Sequence, residues 1–360
     1  MRRENSNESR ELVIIGGGPA GYAAAIKAGQ QGADVLLVEK DKIGGTCLNR
    51  GCIPTKAFVK TAEVYKNMKN ARQYGLEADN ISCNMKKIKK RKDRIVKRLV
   101  KGVEYLLKEN KIEVINGVGQ LQNSNKVLIK SEEEEKIVSA DNILLATGSE
   151  PALIPVPGVE LPQVKNSTEI LNLEKIPESM VVVGGGVIGM EFAFIFANLG
   201  VEVTVIEYLD SVLNNLDNDV SQELARAARR KKIEIHNSSE VKEFYEKDNN
   251  QLGVKFVKKG EEKEVETELA LISTGRKPVL ENLGVDKVGI ELTVEGQGIA
   301  VDDRMATNVS GIYAAGDLTN IVLLAHVAFH QGIVAVENIL GWESKMDYSS
   351  IPNAIPSPIP

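Results

Sequence analysis

Two cysteines five positions apart, Cys47 and Cys52, stand in the block Gly-Gly-Thr-Cys-Leu-Asn-Arg-Gly-Cys-Ile-Pro-Thr-Lys at 44–56. Such a pair can hold a metal, crosslink the chain, or cycle between dithiol and disulfide. A zinc site needs further Cys or His ligands nearby, and the block has none. A structural disulfide closing so short a loop adds little stability. A redox-active pair accounts better for the placement, directly after a strand–turn–helix–strand pattern. Its attacking thiolate has to be exposed and acidified. A helix start does this, and Pro54 suits an early helical position. Cys83 has no partner in the sequence and reads as an inert thiol.

The elements that must position this pair are written twice. Segment 11–39, ELVIIGGGPAGYAAAIKAGQQGADVLLVE, is matched by segment 179–207, SMVVVGGGVIGMEFAFIFANLGVEVTVIE. Each reads as strand, glycine turn, helix and second strand ending in Glu. Gly16, Gly18 and Gly21 fit a dinucleotide fingerprint, as do Gly184, Gly186 and Gly189. The first glycine makes the turn, the second admits a pyrophosphate, and the third lets helix and strand pack closely. The helix N-terminus supplies free N–H groups for phosphate. Glu39 and Glu207 stand where a carboxylate binds ribose hydroxyls. Glu207 repels a 2′-phosphate, so the second site is expected to prefer NAD over NADP.

Further strands are expected at 143–148, 270–275 and 311–317, and an apolar helix at about 321–340. The fold class is α/β, with two Rossmann-like three-layer domains, the second inserted in the first. The first domain takes 1–150 plus 277–345 and the second 151–276. Residues 346–360, rich in proline, read as an extended tail.

The basic run at 86–101 reads as a solvated helix face, with Ile88, Ile95, Leu99, Val103 and Leu106 turned inward. Residues 131–136, SEEEEK, read as an exposed hairpin turn. His326 and His330 are four apart on the helix but have no third ligand, and His236 has no supporting context. No metal site is expected. The net charge of −5 gives no push toward nucleic acid. No apolar run reaches the ~18 residues of a membrane span. The opening residues lack the apolar core of a secretory signal. Three cysteines suit a reducing compartment, so a cytoplasmic protein is expected.

The doubled fingerprint and the 44–56 block resemble the pyridine nucleotide–disulfide oxidoreductases, over about residues 11–353. Within that family the cysteine block and Glu207 look most like the dihydrolipoamide dehydrogenases. The resemblance implies FAD in the first site and NAD in the second. It makes Cys52 the thiol facing the flavin and Cys47 the thiol that exchanges with substrate. It pairs Lys56 with Glu191. It assigns FAD contacts to Pro19, Ala20, Lys40, Gly45, Thr46, Lys56, Gly119, Ala146, Thr147, Gly148, Gly316 and Asp317, and to the backbone at Leu324, Ala325 and His326. NAD contacts fall to Val187, Ile188, Val241 and Gly275. The implied substrate is lipoamide, free or carried on a 2-oxoacid dehydrogenase or glycine cleavage complex.

The family continues past this point as a dimerisation domain bearing a His–Glu acid–base pair. The resemblance therefore implies an impaired homodimer and slow lipoamide turnover for a chain of this span. The alternatives are another NAD(P)H-dependent disulfide reductase, or a flavin-binding protein that reduces dyes only. A glutathione reductase is expected to carry arginines near 207, and a mercuric reductase a C-terminal cysteine pair. Neither is present.

Overall fold

The computed structural model describes residues 8–248, 251–294 and 296–355. Of the prolines expected in an extended tail, Pro356, Pro358 and Pro360 lie outside the described residues, as do 1–7. By contact the chain falls into two compact units. Among the described residues, one takes 8–49, 97–150 and 277–352, the other 50–96, 151–276 and 353–355.

The first unit is built on a seven-stranded sheet. Strands β1 (Glu8–Ile15), β2 (Val35–Glu39), β3 (Glu113–Asn116), β4 (Val118–Asn123), β5 (Lys126–Lys130) and β6 (Glu135–Leu145) run in the order β3-β2-β1-β6-β5-β4. The pairs β3·β2, β2·β1 and β1·β6 are parallel. Strand β6 is long enough to serve two further partners on its other edge. Its first half pairs antiparallel with β5, and Ile143–Leu145 pair parallel with β17 (Ile312–Ala314). Leu12–Ile15, Val35–Val38 and Ile143–Leu145 are all buried, as strands covered on both faces require. Helix α1 (Pro19–Gln30) buries a face of small residues, Ala20, Gly21, Ala24 and Ala28 among them. Helix α8 (Ala325–Ile339) crosses it so closely that a Cβ on Gly332 would strike the Ala20 carbonyl. Short helices α2 (Gly45–Arg50) and α7 (Val285–Val288) complete this unit. Met346, Tyr348 and Ile351 pack into its core, so this part of the expected tail is held down.

The second unit repeats the parallel pattern with five strands. They are β8 (Val164–Asn166), β9 (Ser179–Val183), β10 (Glu202–Ile206), β11 (Glu234–His236) and β15 (Leu269–Ile272), in the order β11-β10-β9-β15-β8. Strands β12 (Ser239–Glu246), β13 (Leu252–Lys258) and β14 (Glu261–Thr267) form an antiparallel sheet beside it. Helix α5 (Val187–Leu199) is apolar except for Glu191 and Asn198, and Phe192, Phe194 and Phe196 are fully buried. Helix α3 (Cys52–Lys69) packs on α5, with Phe58 and Ala62 in one core with Met190 and Phe194. Helix α6 (Asn218–Arg230) adds Leu224, Ala227 and Ala228.

The sequence reading assigned 50–96 to the first domain. By contact these residues group with the second unit, because Phe58, Ala62, Met85 and Ile88 enter its core. Helix α4 (Met85–Glu109) gives its first half to one unit and its second half to the other. The inward stripe read for it is only half right. Ile88 is buried, but Leu99 is 40% and Leu106 45% exposed, and Leu107 is the buried residue of the last turn. Short strands β7 (Ser149–Pro151) and β16 (Arg276–Pro278) lie at the points where the chain leaves one unit for the other. The acidic run is the expected turn, with the Ser131 N–H bonded to the Glu134 carbonyl at 2.9 Å.

Candidate nucleotide sites and redox centre

The two glycine turns have one geometry. Gly16 and Gly184 lie at φ +112° and +103°, where side chains are rarely tolerated. In each turn a Cβ on the third fingerprint glycine, Gly21 or Gly189, would strike the carbonyl oxygen of the first. Gly18 and Gly186 are the N-caps of α1 and α5, and neither helix is capped by a side chain. The first N–H groups of both helices are thus left to a ligand or to water.

The acidic residue closing each unit is engaged in the same way. Glu39 accepts the Gly17 N–H at 2.6 Å and the Asp41 N–H at 2.8 Å. Glu207, 8% exposed, accepts the Gly185 N–H and, at 2.7 Å, the Leu209 N–H. The sequence reading treated both carboxylates as free for ribose. They also brace the turn, and each oxygen keeps a second lone pair for a hydroxyl donor. Gly17 and Gly185 escaped that reading. Their signal was the run of three consecutive glycines in each copy, where the fingerprint asks for only two.

Around the first turn the residues fit a bound dinucleotide. Gly45, at φ +55°, faces Gly18 so closely that a Cβ there would lie 2.6 Å from the Gly18 Cα. Thr46 follows it in α2, and Lys40 is exposed after β2. Ala146 donates its N–H to the Ile15 carbonyl at 2.8 Å, holding the end of β6 beside the turn. The Thr147 hydroxyl donates to the Val279 carbonyl at 2.7 Å, and Gly148, at φ +71°, faces open space. Gly119 is buried against Ile15, a packing role rather than an open one. Leu324 is the N-cap of α8, followed by Ala325 and the exposed His326.

Asp317 sits in a short 3-10 turn, Gly316–Thr319, and accepts a hydrogen bond from the Ser149 hydroxyl. Fully buried Gln331 accepts the Gly316 N–H at 2.7 Å and donates to the Tyr348 hydroxyl at 2.8 Å. Ser149, Gln331 and Tyr348 were not singled out from the sequence. Ser149 is 168 residues from Asp317, and Gln331 reaches back 15 residues to Gly316, so no motif spacing carried a signal.

Around the second turn Gly186 has no atom within 4 Å of a built Cβ, which leaves room for phosphate. Val187 and Ile188 open α5. Gly275 faces open space at φ +125°. Val241 is buried in β12. An open cavity of about 560 Å³ follows Glu207 in the chain, lined by Tyr208, Leu209, Asp210, Asn214, Ser238, Ser239, Glu240, Val257 and Lys259.

Cys47 lies in α2 and Cys52 opens α3, and both are half-buried. The positive end of an eighteen-residue helix favours negative charge on Cys52. Glu191 of α5 is 9% exposed. Burial pushes its carboxyl up to about 7, Lys56 pulls it back, and negative charge on Cys52 pushes it further up. Lys56, a surface lysine by pattern alone, is therefore in electrostatic contact with Glu191. Among the described residues, no group of three or more His, Cys, Asp or Glu side chains could hold a metal ion. No helix there is long and apolar enough to cross a membrane.

Twin Rossmann-like turns, with a cysteine pair after the first, define a nucleotide-dependent disulfide oxidoreductase fold. Residues 10–332 match the model of the pyridine nucleotide-disulphide oxidoreductases, and the chain belongs to that family. It is 40% identical over 348 residues to a dihydrolipoyl dehydrogenase of Bacillus subtilis, covering 96% of this chain and 74% of that protein. A dihydrolipoyl dehydrogenase of Acholeplasma laidlawii is 41% identical over 344 residues, covering 94% of this chain and 98% of that protein. The solved structure of RclA from Escherichia coli, an HOCl-induced flavoprotein disulfide reductase in its Cu(II) complex, superposes with a TM-score of 0.81 at 29% identity. It covers 93% of this chain and 71% of that one. The family expected from the glycine turns and the 44–56 block is the family found.

Proposed function

We propose that this chain is a dihydrolipoyl dehydrogenase-type enzyme, holding FAD on the first glycine turn and NAD on the second. The first domain, 1–150 plus 277–345, is the FAD domain, and the inserted 151–276 is the NAD domain. The grouping of Cys52, Lys56 and Glu191 carries the reading. It places a thiol at a helix start beside a lysine and a carboxyl poised near neutrality. FAD, when bound, supplies two-electron transfer between the sulfur pair and the nicotinamide.

The Gly16–Gly18 turn and the start of α1 hold the FAD phosphates, Glu39 its ribose, and Asp317 its ribityl chain. Ser149 and Gln331 fix the Asp317 turn. Gly184–Gly186, the start of α5 and Glu207 hold NAD, and the Glu207 carboxylate disfavours a 2′-phosphate. In the disulfide form a dihydrolipoamide thiolate attacks Cys47, and Cys52 leaves as a thiolate stabilised at the N-terminus of α3. The second substrate thiol then displaces Cys47, releasing cyclic lipoamide and leaving the dithiol. Lys56 offsets the thiolate charge, and Glu191 sets how much of the lysine's charge remains uncompensated.

The test is NADH oxidation with lipoamide and with a dye as acceptors. The native chain is expected to reduce the dye readily and lipoamide slowly. Cys47→Ser and Cys52→Ser are each expected to lose lipoamide reduction while dye reduction persists. Lipoamide turnover that survives either substitution would refute the assignment.

A further inference from the structure

The basic run at 86–101 has a geometry that a solvated face does not require. Helix α4 is continuous from Met85 to Glu109. On it Lys87, Lys90, Arg94, Lys97, Arg98 and Lys101 follow at i, i+3, i+7, i+10, i+11 and i+14, which sets them on one face. All six are exposed. None makes an ion pair among the described residues, whereas neighbouring cations do. Lys86 and Lys89 meet Glu174, and Lys92 meets Asp93. Arg91, beside the stripe, is tied to the Ala57 carbonyl at 3.0 Å and stands apart from it. A helix that merely needed solubility would intersperse both signs, each i,i+4 opposite pair contributing ~0.3–0.5 kcal/mol. Here like charges repel along about 21 Å of helix at 1.5 Å per residue, in a chain of net charge −5.

We propose that this face of α4 is a docking surface for the acidic surface of a protein partner. Acid stands near both ends of the stripe: Glu174 against Lys86 and Lys89, and Glu104 and Glu109 on either side of Lys108 in the last turns of the helix. A footprint of that length matches one face of a small domain. An extended nucleic acid would run beyond it onto the acidic flanks. Between Lys87 and Lys101 this face carries no aromatic residue to stack bases and no apolar residue to enter a bilayer, and the exposed Tyr105 stands one turn beyond Lys101. The surface stands independently of the activity proposed above.

The test uses the holoprotein and three fluorescent probes at 50 and 300 mM salt: poly-L-glutamate, a 20-base-pair DNA duplex, and anionic phospholipid vesicles. Poly-L-glutamate is expected to bind at low salt and to weaken at least tenfold at high salt. The variant Lys90→Glu, Arg94→Glu, Lys97→Glu, Arg98→Glu is expected to abolish binding and leave NADH-to-dye turnover unchanged. Should that variant fold poorly, the same four positions changed to Gln are expected to weaken binding at least tenfold. Tighter binding of the duplex or the vesicles than of poly-L-glutamate overturns the assignment. So does poly-L-glutamate binding that is absent at 50 mM salt, or unchanged in the variants.

Discussion

At the scale of single residues, buried carboxylates carry the clearest consequences. Glu191 holds its proton up to about pH 7 in the folded chain, against an ordinary value of 4.5. Its folded pKa is raised, so its contribution is full below the unfolded value and is lost as pH rises through the folded one. Folding stability is expected to fall by up to about 3 kcal/mol between pH 4.5 and 7 on this account. Glu191→Gln is expected to flatten that slope, as urea midpoints at several pH values will show. Glu207 has two jobs, and Glu207→Ala is expected to fail at both. It leaves the Gly185 and Leu209 N–H groups without their acceptor, costing about 1–3 kcal/mol. It also raises KM for NADH about tenfold or more and narrows the preference over NADPH, checked by thermal unfolding and by steady-state kinetics with both nucleotides. The position of Glu207 was legible from its place after the second glycine turn. Its bonding was not, because the acceptor role depends on how the turn folds back over β10.

At the scale of elements, the same glycine-rich phrase does two different things at neighbouring positions. Gly186 caps α5 at φ −70° with open space around it, so a methyl group fits the folded chain. Gly189 has no such room, since its Cβ would meet the Gly184 carbonyl oxygen, and the Ser273 Oγ at 2.6 Å. Gly186→Ala is expected to leave the melting temperature unchanged while weakening NADH at least tenfold. Gly189→Ala is expected to destabilise the chain by about 1–3 kcal/mol even without nucleotide. Calorimetry with and without NADH separates the two. Strand and helix order within both repeats was readable from period and glycine placement. The burial of α4 was not. Leu99 and Leu106 satisfy the helical spacing, yet the supports of this helix change along its length, and a fixed stripe cannot follow them.

At the scale of the whole molecule, the first unit is assembled from three separate stretches of chain, and the groups proposed to hold FAD, with those that brace them, come from all three. Gly18 and Glu39 belong to the first, Gly148 and Ser149 to the second, Asp317 and Gln331 to the third. A ligand touching all three stabilises only the folded arrangement. Removing FAD is therefore expected to lower the melting temperature. Restoring FAD at a hundred times its Kd is expected to return about 2.7 kcal/mol. A chain whose melting curve ignores FAD would contradict the assignment of the first site.

The sequence by itself determined the family, the two nucleotide turns, their acidic partners and the cysteine pair. Each of these is a local pattern in which spacing along a strand, turn or helix start dictates the chemistry. Only the tertiary structure decided that Gln331 and Tyr348 hold the Asp317 turn, that Lys56 and Glu191 are electrostatic neighbours, and that 50–96 joins the second core. Those facts rest on residues far apart in the chain, brought together by packing. Burial, which moved Glu191 to neutrality, is a property of the fold and of no sequence window.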